Sequence, residues 1–215
     1  MNKAVFFDMD GTLYKTELIL GDALNQTLNK LDTLNIRYVE QPMNKYKKIM
    51  GVPMTEVWNQ LLVTRSEEDI KSANGLLQEH LITNINDGKG ELYQGVEEVL
   101  SHIKEQRYNI YIISNGEKAY LDAICEHHNL EGLVDGVYSI NLINTSDKSD
   151  LVKKVIEEES VKAHYMVGDR ASDFKAGKDN NIEIIGCRFY FSNDEELKEA
   201  DYTVDSFRTI KQIIN

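Results

Sequence analysis

Cysteine is scarce in this 215-residue chain: Cys125 and Cys187 stand far apart, in no C-x-x-C spacing. That excludes a disulfide-stapled scaffold and a thiolate metal knuckle, and leaves two small buried thiols in a reducing compartment as the expectation. Positive charge is short as well. Lys and Arg number 24 against 36 Asp and Glu, for a formal net charge of −12. Such a balance opposes nonspecific binding to nucleic acid or to an anionic membrane. It also opposes the capture of anionic substrates, so a phosphate site would need local positive charge or a metal. No apolar run approaches membrane-spanning length. No charged-then-apolar leader precedes the first apolar segment, so the expectation is a cytoplasmic protein with no membrane and no nucleic-acid partner. Internal repeats and low-complexity segments are absent. The histidines His80, His102, His127, His128 and His164 lack metal-ligand spacing. Nothing in the composition sets an oligomeric state. The apolar and charged fractions, 41% and 28%, are those of an ordinary soluble protein. The length suffices for one good core and a small second lobe.

Against that background the stretch from Val5 to Leu13 stands out. Val5, Phe6 and Phe7 read as a short buried strand. It runs into Asp8-Met9-Asp10-Gly11-Thr12-Leu13. In an extended chain residues i and i+2 share a side, so Asp8 and Asp10 are expected to project together, with Gly11 allowing a sharp turn. Two adjacent carboxylates repel unless a cation, a shared proton or hydrogen bonds compensate. A hard cation such as Mg²⁺ takes oxygen ligands, often one or two of them carboxylates. The plainer alternative is a strand that ends in a solvated polar turn.

Beyond Leu13 the pattern turns helical. Leu20, Leu24, Leu28 and Leu31 form an amphipathic stripe, and short helices are expected at 43–50 and 55–62, around breaks at Gln41-Pro42 and Gly51-Val52-Pro53. Ser66-Glu67-Glu68-Asp69 resembles a capping box ahead of another stripe. Residues 16–86 thus read as an all-helical insertion, closed by the linker Asn86-Asp87-Gly88-Lys89-Gly90. From there helices and strands alternate: helices at 96–105, 118–128, 150–159 and 172–180, strands at 109–113, 137–140, 164–167, 182–185 and 202–204, and a last helix from Ser206. Such alternation implies a doubly wound α/β fold with a parallel sheet. The expected division is a core of residues 1–15 and 87–215 carrying the inserted helical unit of 16–86.

In open parallel sheets ligands bind beyond the carboxyl ends of the strands. The residues there are Asp8 and Asp10, Ser114 and Asn115, and Asp169 and Asp173. Ser114 and the backbone N–H groups after it could bind a phosphoryl oxygen, or Ser114 could simply cap a helix. Lys148 precedes a helix that Asp150 could cap. It could neutralise charge developing on a phosphoryl group, or be a solvated loop lysine. Lys153 and Lys154 fall further along that helix. Asp169 and Asp173 flank a helix start, where negative side chains are favoured in any case. Four carboxylates at one sheet edge repel strongly, and Mg²⁺ is the economical compensation. Lys45, Lys47 and Lys48 form a basic cluster that could attract a phosphorylated substrate, or form a solvated helix face. Glu195, Glu196 and Glu199 read as a solvated face.

D-x-D-G-T, the apolar run ending in Ser114-Asn115, Lys148 and G-D-x-x-x-D occur in the order and spacing of the four motifs of the haloacid dehalogenase superfamily. Together they span nearly the whole chain. The helical insertion resembles that family's C1-type cap, and Leu92-Tyr93-Gln94-Gly95-Val96 resembles the segment that re-enters the core. The phosphoglycolate-phosphatase-like and β-phosphoglucomutase-like branches are the most similar. The resemblance implies a Rossmann-like core and a Mg²⁺-dependent phosphatase acting on a small phosphorylated metabolite. By position it implies Asp8 as nucleophile, forming an aspartyl-phosphate, and Asp10 as general acid and base. Asp8, the Asp10 carbonyl and Asp169 would be metal ligands. Asp173 would orient the metal's waters or Lys148, and Ser114 and Lys148 would hold the phosphoryl group. Lys15, Ser149 and Gln94 depart from residues common in the family and weaken assignment to any one branch. A sugar-phosphate mutase of the same superfamily is the alternative enzyme. A phospho-accepting signalling switch is the alternative of another class, disfavoured by the large insertion, since a lid suits substrate enclosure.

Overall fold

Alternation along the first strand sets up two layers: Val5 and Phe7 pack into one apolar cluster, Ala4 and Phe6 into another, all fully buried. The computed structural model describes residues 2–49 and 52–215. Its strands are β1 (Asn2–Phe7), β2 (Asn109–Ser114), β3 (Gly136–Ser139), β4 (Val161–Gly168), β5 (Glu183–Cys187) and β6 (Tyr202–Val204). They form one parallel sheet in the order β3-β2-β1-β4-β5-β6. Consecutive strands therefore wind outward in both directions from β1. The switch point of the strand order lies at its carboxyl end, where ligands bind in such sheets.

Among the described residues five helices separate β1 from β2: α1 (Glu17–Thr33), α2 (Pro42–Lys48), α3 (Met54–Leu61), α4 (Glu67–Asn86) and α5 (Val96–Glu105). Within this insertion α1 packs on α4, and α3 on both α2 and α4. Leu20, Leu24, Leu28 and Leu31 face Leu77, Leu81 and Trp58 in one cluster that continues down to the sheet. Burial of this kind stabilises by about 25 cal/mol per Å² of apolar surface. Among the described residues no helix is long and apolar enough to cross a membrane. The remaining helices are α6 (Lys118–His127), α7 (Lys148–Glu159), α8 (Ala171–Asp179), α9 (Asp194–Leu197) and α10 (Ile210–Ile213). Leu151, Val152 and Val155 of α7 cover Phe6, Ile113 and Met166 on the second face of the sheet.

Several local details differ from what the sequence suggests. β4 begins at Val161 rather than His164, because Asn2 and Lys3 at the start of β1 pair with Val161 and Lys162. Asp147, not Asp150, caps α7: extended at φ −101°, it accepts the Ser149 N–H at 2.9 Å. Lys148 therefore belongs to the first turn of the helix. Ser66 accepts the Asp69 N–H at 3.1 Å, one half of the expected box, while Asp69 accepts from Thr64. The last segment opens as a 3₁₀ turn at Phe207–Thr209 before α10. Met50 and Gly51, where one helix end and a chain break are expected, lie outside the described residues.

Candidate active site

β1 ends at Phe7; Asp8 continues its pairing, its N–H donating to the Val167 carbonyl at 2.9 Å, and Asp10 lies in the turn that follows. The Met9 carbonyl accepts the N–H groups of Leu13 and Tyr14 at 3.0 and 2.9 Å, curling the chain back on itself. Gly11 closes this turn at φ +78°, a left-handed conformation that favours glycine. A Cβ at Gly11 would meet the Asp169 carboxylate at 2.5 Å, so the turn presses directly against the end of β4.

Lys148 lies at the centre of the site, 3% exposed. Its Nζ donates to Asp8 Oδ1 at 2.7 Å and to Asp173 Oδ1 at 2.6 Å. The other oxygen of Asp173 accepts the backbone N–H groups of Asp169 and Arg170 at 3.2 and 3.1 Å, which fixes the start of α8. Asp169 is fully buried, and Thr12 donates to its Oδ1 at 3.3 Å. Its Oδ2 has no hydrogen-bond partner among the described residues. Asp10 faces a different set: Thr16 and Tyr120 both donate to its Oδ1, at 2.5 and 2.6 Å. Ser114 is buried and accepts the Gly116 N–H at 3.1 Å, which leaves its own O–H to donate.

Charge is unbalanced here. Asp8, Asp10, Asp169 and Asp173 surround one buried ammonium, and Arg170 at the rim is forked onto Glu196 at 3.1 and 3.3 Å. Burial pushes Asp8 up to about 7 against the opposing pull of Lys148. Burial likewise raises Asp10, against the hydroxyls of Thr16 and Tyr120, and raises Asp169 well above the usual carboxylate range, with Asp173 and Asp8 adding to it. Lys148, though buried, is raised by Asp173 and Asp8. Oxygens of Asp8, Asp169 and Asp173 lie within 4.8 Å of one another. An all-oxygen donor set, a surplus of buried negative charge and an orphaned carboxylate oxygen together fit a hard divalent cation.

The acids, Ser114, Asn115 and Lys148 thus converge at the carboxyl end of the sheet. All but Asp173 line a cavity of about 60 Å³, which Asp173 supports from beneath Lys148. Lys45, Lys47 and Lys48 do not line it; Lys47 donates to the Tyr190 hydroxyl at 3.3 Å instead. Glu196, read as part of a solvated face, holds Arg170 and accepts the Ala171 N–H at 2.7 Å. Thr12, Thr16 and Tyr120 also belong to the site, although no motif gives them a role. The first two follow D-x-D-G closely enough to be candidates. Tyr120 sits in the first turn of the helix after Ser114-Asn115, a turn that must face the sheet's carboxyl edge.

Comparison with known proteins agrees with this geometry. The family model described as haloacid dehalogenase-like hydrolase matches residues 5–187. A pyrophosphatase PpaX from Bacillus cereus is 26% identical, covering 98% of this chain and 95% of the relative. A phosphoglycolate phosphatase from Aliivibrio fischeri is 20% identical, covering 99% and 96%. A crystal structure of a predicted phosphatase from Clostridium acetobutylicum superposes with a TM-score of 0.80 at 25% identity, covering 100% and 98%. CbbY from Rhodobacter sphaeroides in complex with phosphate shares the fold, with a TM-score of 0.78 at 18% identity, covering 96% and 95%. The chain belongs to the haloacid dehalogenase-like hydrolases and is an enzyme of that family's phosphatase type.

Proposed function

We propose that this protein is a Mg²⁺-dependent phosphatase that hydrolyses a small phosphomonoester through an aspartyl-phosphate on Asp8, beneath a cap formed by residues 16–86. The observation that carries it is Lys148 bridging Asp8 and Asp173 beside the orphaned Oδ2 of Asp169. Asp8, Asp169 and the backbone carbonyl of Asp10 would hold the ion, whose charge would offset that of the phosphoryl oxygens and the surrounding acids. Lys148 and the Ser114 hydroxyl bind the phosphoryl group, and Asp173 orients Lys148. The carboxylate of Asp8 attacks phosphorus; the bond to the leaving oxygen breaks, and Asp10 gives that oxygen its proton. Asp10, now ionised, takes a proton from water, which attacks the aspartyl-phosphate and releases inorganic phosphate and free Asp8. Most of the rate enhancement comes from positioning and charge neutralisation, as phosphoryl transfer generally requires.

Release of inorganic phosphate over many turnovers, from a panel of phosphomonoesters with Mg²⁺ present, is the direct test. Asp8→Asn should lower turnover by more than about 1,000-fold while retaining the fold, because the nucleophilic oxygen is lost. Near-native turnover in Asp8→Asn would overturn the mechanism. A single round of labelling with no turnover would indicate a phospho-accepting switch instead. Undiminished activity after exhaustive chelation would remove the metal.

A further inference from the structure

The two walls of the cavity differ in chemistry. The core wall carries Asp8, Asp10, Ser114, Lys148 and Asp169. The facing wall is Leu20, Tyr46, Val52, Met54 and Leu81 from the helical insertion, joined by Phe191 from the loop after β5. Among the described residues no lysine or arginine of the insertion lines it, although Lys45, Lys47 and Lys48 flank Tyr46 in the same helix. Among the described lining residues the cations are Lys148, held by Asp8 and Asp173, and Arg170, held by Glu196. A second anionic group on a substrate would therefore enter an apolar wall without a counter-charge, opposite a cluster of carboxylates. Burying a charge in that way is strongly disfavoured.

Besides Thr16, whose hydroxyl is committed to Asp10, Gln78 breaks the apolar wall. Gln78 of α4 lines the cavity, and its Oε1 is buried with no hydrogen-bond partner among the described residues. A hydroxyl both donates and accepts, so it can satisfy that amide whichever way the amide is turned. The cavity itself is small. About 60 Å³ of it admits the centre of a water-sized group, which favours a compact leaving group.

Taken with the phosphatase chemistry above, we infer that the site takes a phosphomonoester whose alkyl leaving group is short, uncharged and hydroxyl-bearing, and that the apolar wall selects against leaving groups carrying a second anion. Pyrophosphate and phosphoglycolate, the compounds for which two of the relatives are named, both carry that second anion. Val52, Met54 and Gln78 are the specificity-determining positions: the first two withhold a counter-charge, and the third receives the hydroxyl.

The test is kcat/KM of the intact protein with Mg²⁺ on glycerol 1-phosphate, propyl phosphate, phosphoglycolate and pyrophosphate, with acetyl phosphate as a compact, activated control. Glycerol 1-phosphate should exceed phosphoglycolate and pyrophosphate by about 100-fold or more. It should exceed propyl phosphate by about 10-fold, the value of one hydrogen bond that water replaces imperfectly. Gln78→Leu should abolish the preference for glycerol 1-phosphate over propyl phosphate. Val52→Arg and Met54→Lys, both at partly exposed positions, should each raise phosphoglycolate hydrolysis at least tenfold relative to glycerol 1-phosphate. Hydrolysis of phosphoglycolate or pyrophosphate as efficient as that of glycerol 1-phosphate, with acetyl phosphate also turned over, would overturn the specificity and leave the phosphatase chemistry standing. A glycerol preference that survives Gln78→Leu would do the same for Gln78. Failure to turn over any of the five compounds would remove the phosphatase reading and this inference with it.

Discussion

Two hydroxyls converge on one oxygen of Asp10, and they hold the carboxyl in place without neutralising it. Tyr120→Phe keeps the ring and removes one of these bonds. A hydrogen bond to a charged group contributes about 1.5–3 kcal/mol, so kcat should fall roughly tenfold or more with KM little changed. Asp10→Asn should cost about 10²–10⁴-fold on alkyl phosphates, the usual span for a general acid. It should cost less on an acyl phosphate, whose leaving oxygen is a weak base and barely needs a proton. Single-turnover phosphorylation rates measure this directly, and equal losses on both classes would rule out Asp10 as the acid. At this scale the sequence reveals the residues that end strands. Asp8, Ser114 and Asp169 follow apolar runs, so their place at the sheet edge follows from the run alone. Tyr120 could not be found in that way, because its aim depends on the phase of α6 against a turn more than a hundred residues earlier.

At the level of elements, the two chain crossings between core and helical insertion are paired with each other. The Lys15 N–H donates to the Glu91 carbonyl and the Tyr93 N–H to the Leu13 carbonyl, both at 2.9 Å, and Lys15 and Glu91 also form an ion pair. Tyr14 fills the space beneath them, fully buried, and a Cβ on Gly90 would meet its hydroxyl at 1.6 Å. Gly90→Ala must therefore displace a rigid ring from a packed site. Overpacking of this kind costs about 1–3 kcal/mol, and the melting temperature should fall by roughly 3 °C or more. Tyr14→Phe should cost no stability, because that hydroxyl has no partner among the described residues. Thermal melts of the two variants check both outcomes; a neutral Gly90→Ala would mean that the crossing adapts freely. The sequence shows the linker at 86–90 through its Asn, Asp and Gly content, and Lys15 as a departure from the family pattern. It does not show that Lys15 faces Glu91, since that contact joins segments 76 residues apart. The helix that carries Lys148 is legible from its apolar period. Its first turn is not: the sequence points to Asp150 as the cap, whereas the extended backbone at Asp147 starts the helix three residues earlier.

The whole molecule carries a net charge of −12, and some of that charge is buried where it works against the fold. Asp8 is raised by burial to about 7, far above the value of about 3.9 for a free aspartate. A group that binds its proton more tightly in the folded state contributes stability that is complete below its unfolded pKa and lost as pH rises through the folded one. Asp10 and Asp169 are shifted in the same direction. The metal-free protein should thus lose the Asp8 contribution between about pH 4 and pH 7. Surface carboxylates act oppositely: Asp22, Asp147 and Asp179 are lowered by lysine partners and Glu98 by Arg208 and Lys211, so their contribution fades only at lower pH. His128 and His164, lowered by burial, oppose the aspartates within the same interval. The raw pH dependence of melting is therefore a sum of unlike terms, whereas the increment produced by Mg²⁺ isolates the cluster. An ion at the cluster competes with protons on the clustered aspartates, Asp8 and Asp169 among them, and the histidines lie outside it. The rise in melting temperature on adding Mg²⁺ should be larger at pH 7.5 than at pH 5.5. It should vanish in Asp169→Asn, which keeps the size of the side chain but removes its charge. Calorimetry at the two pH values with and without Mg²⁺ measures this; an equal increment at both, or one that persists in Asp169→Asn, would place the ion elsewhere on this acidic molecule.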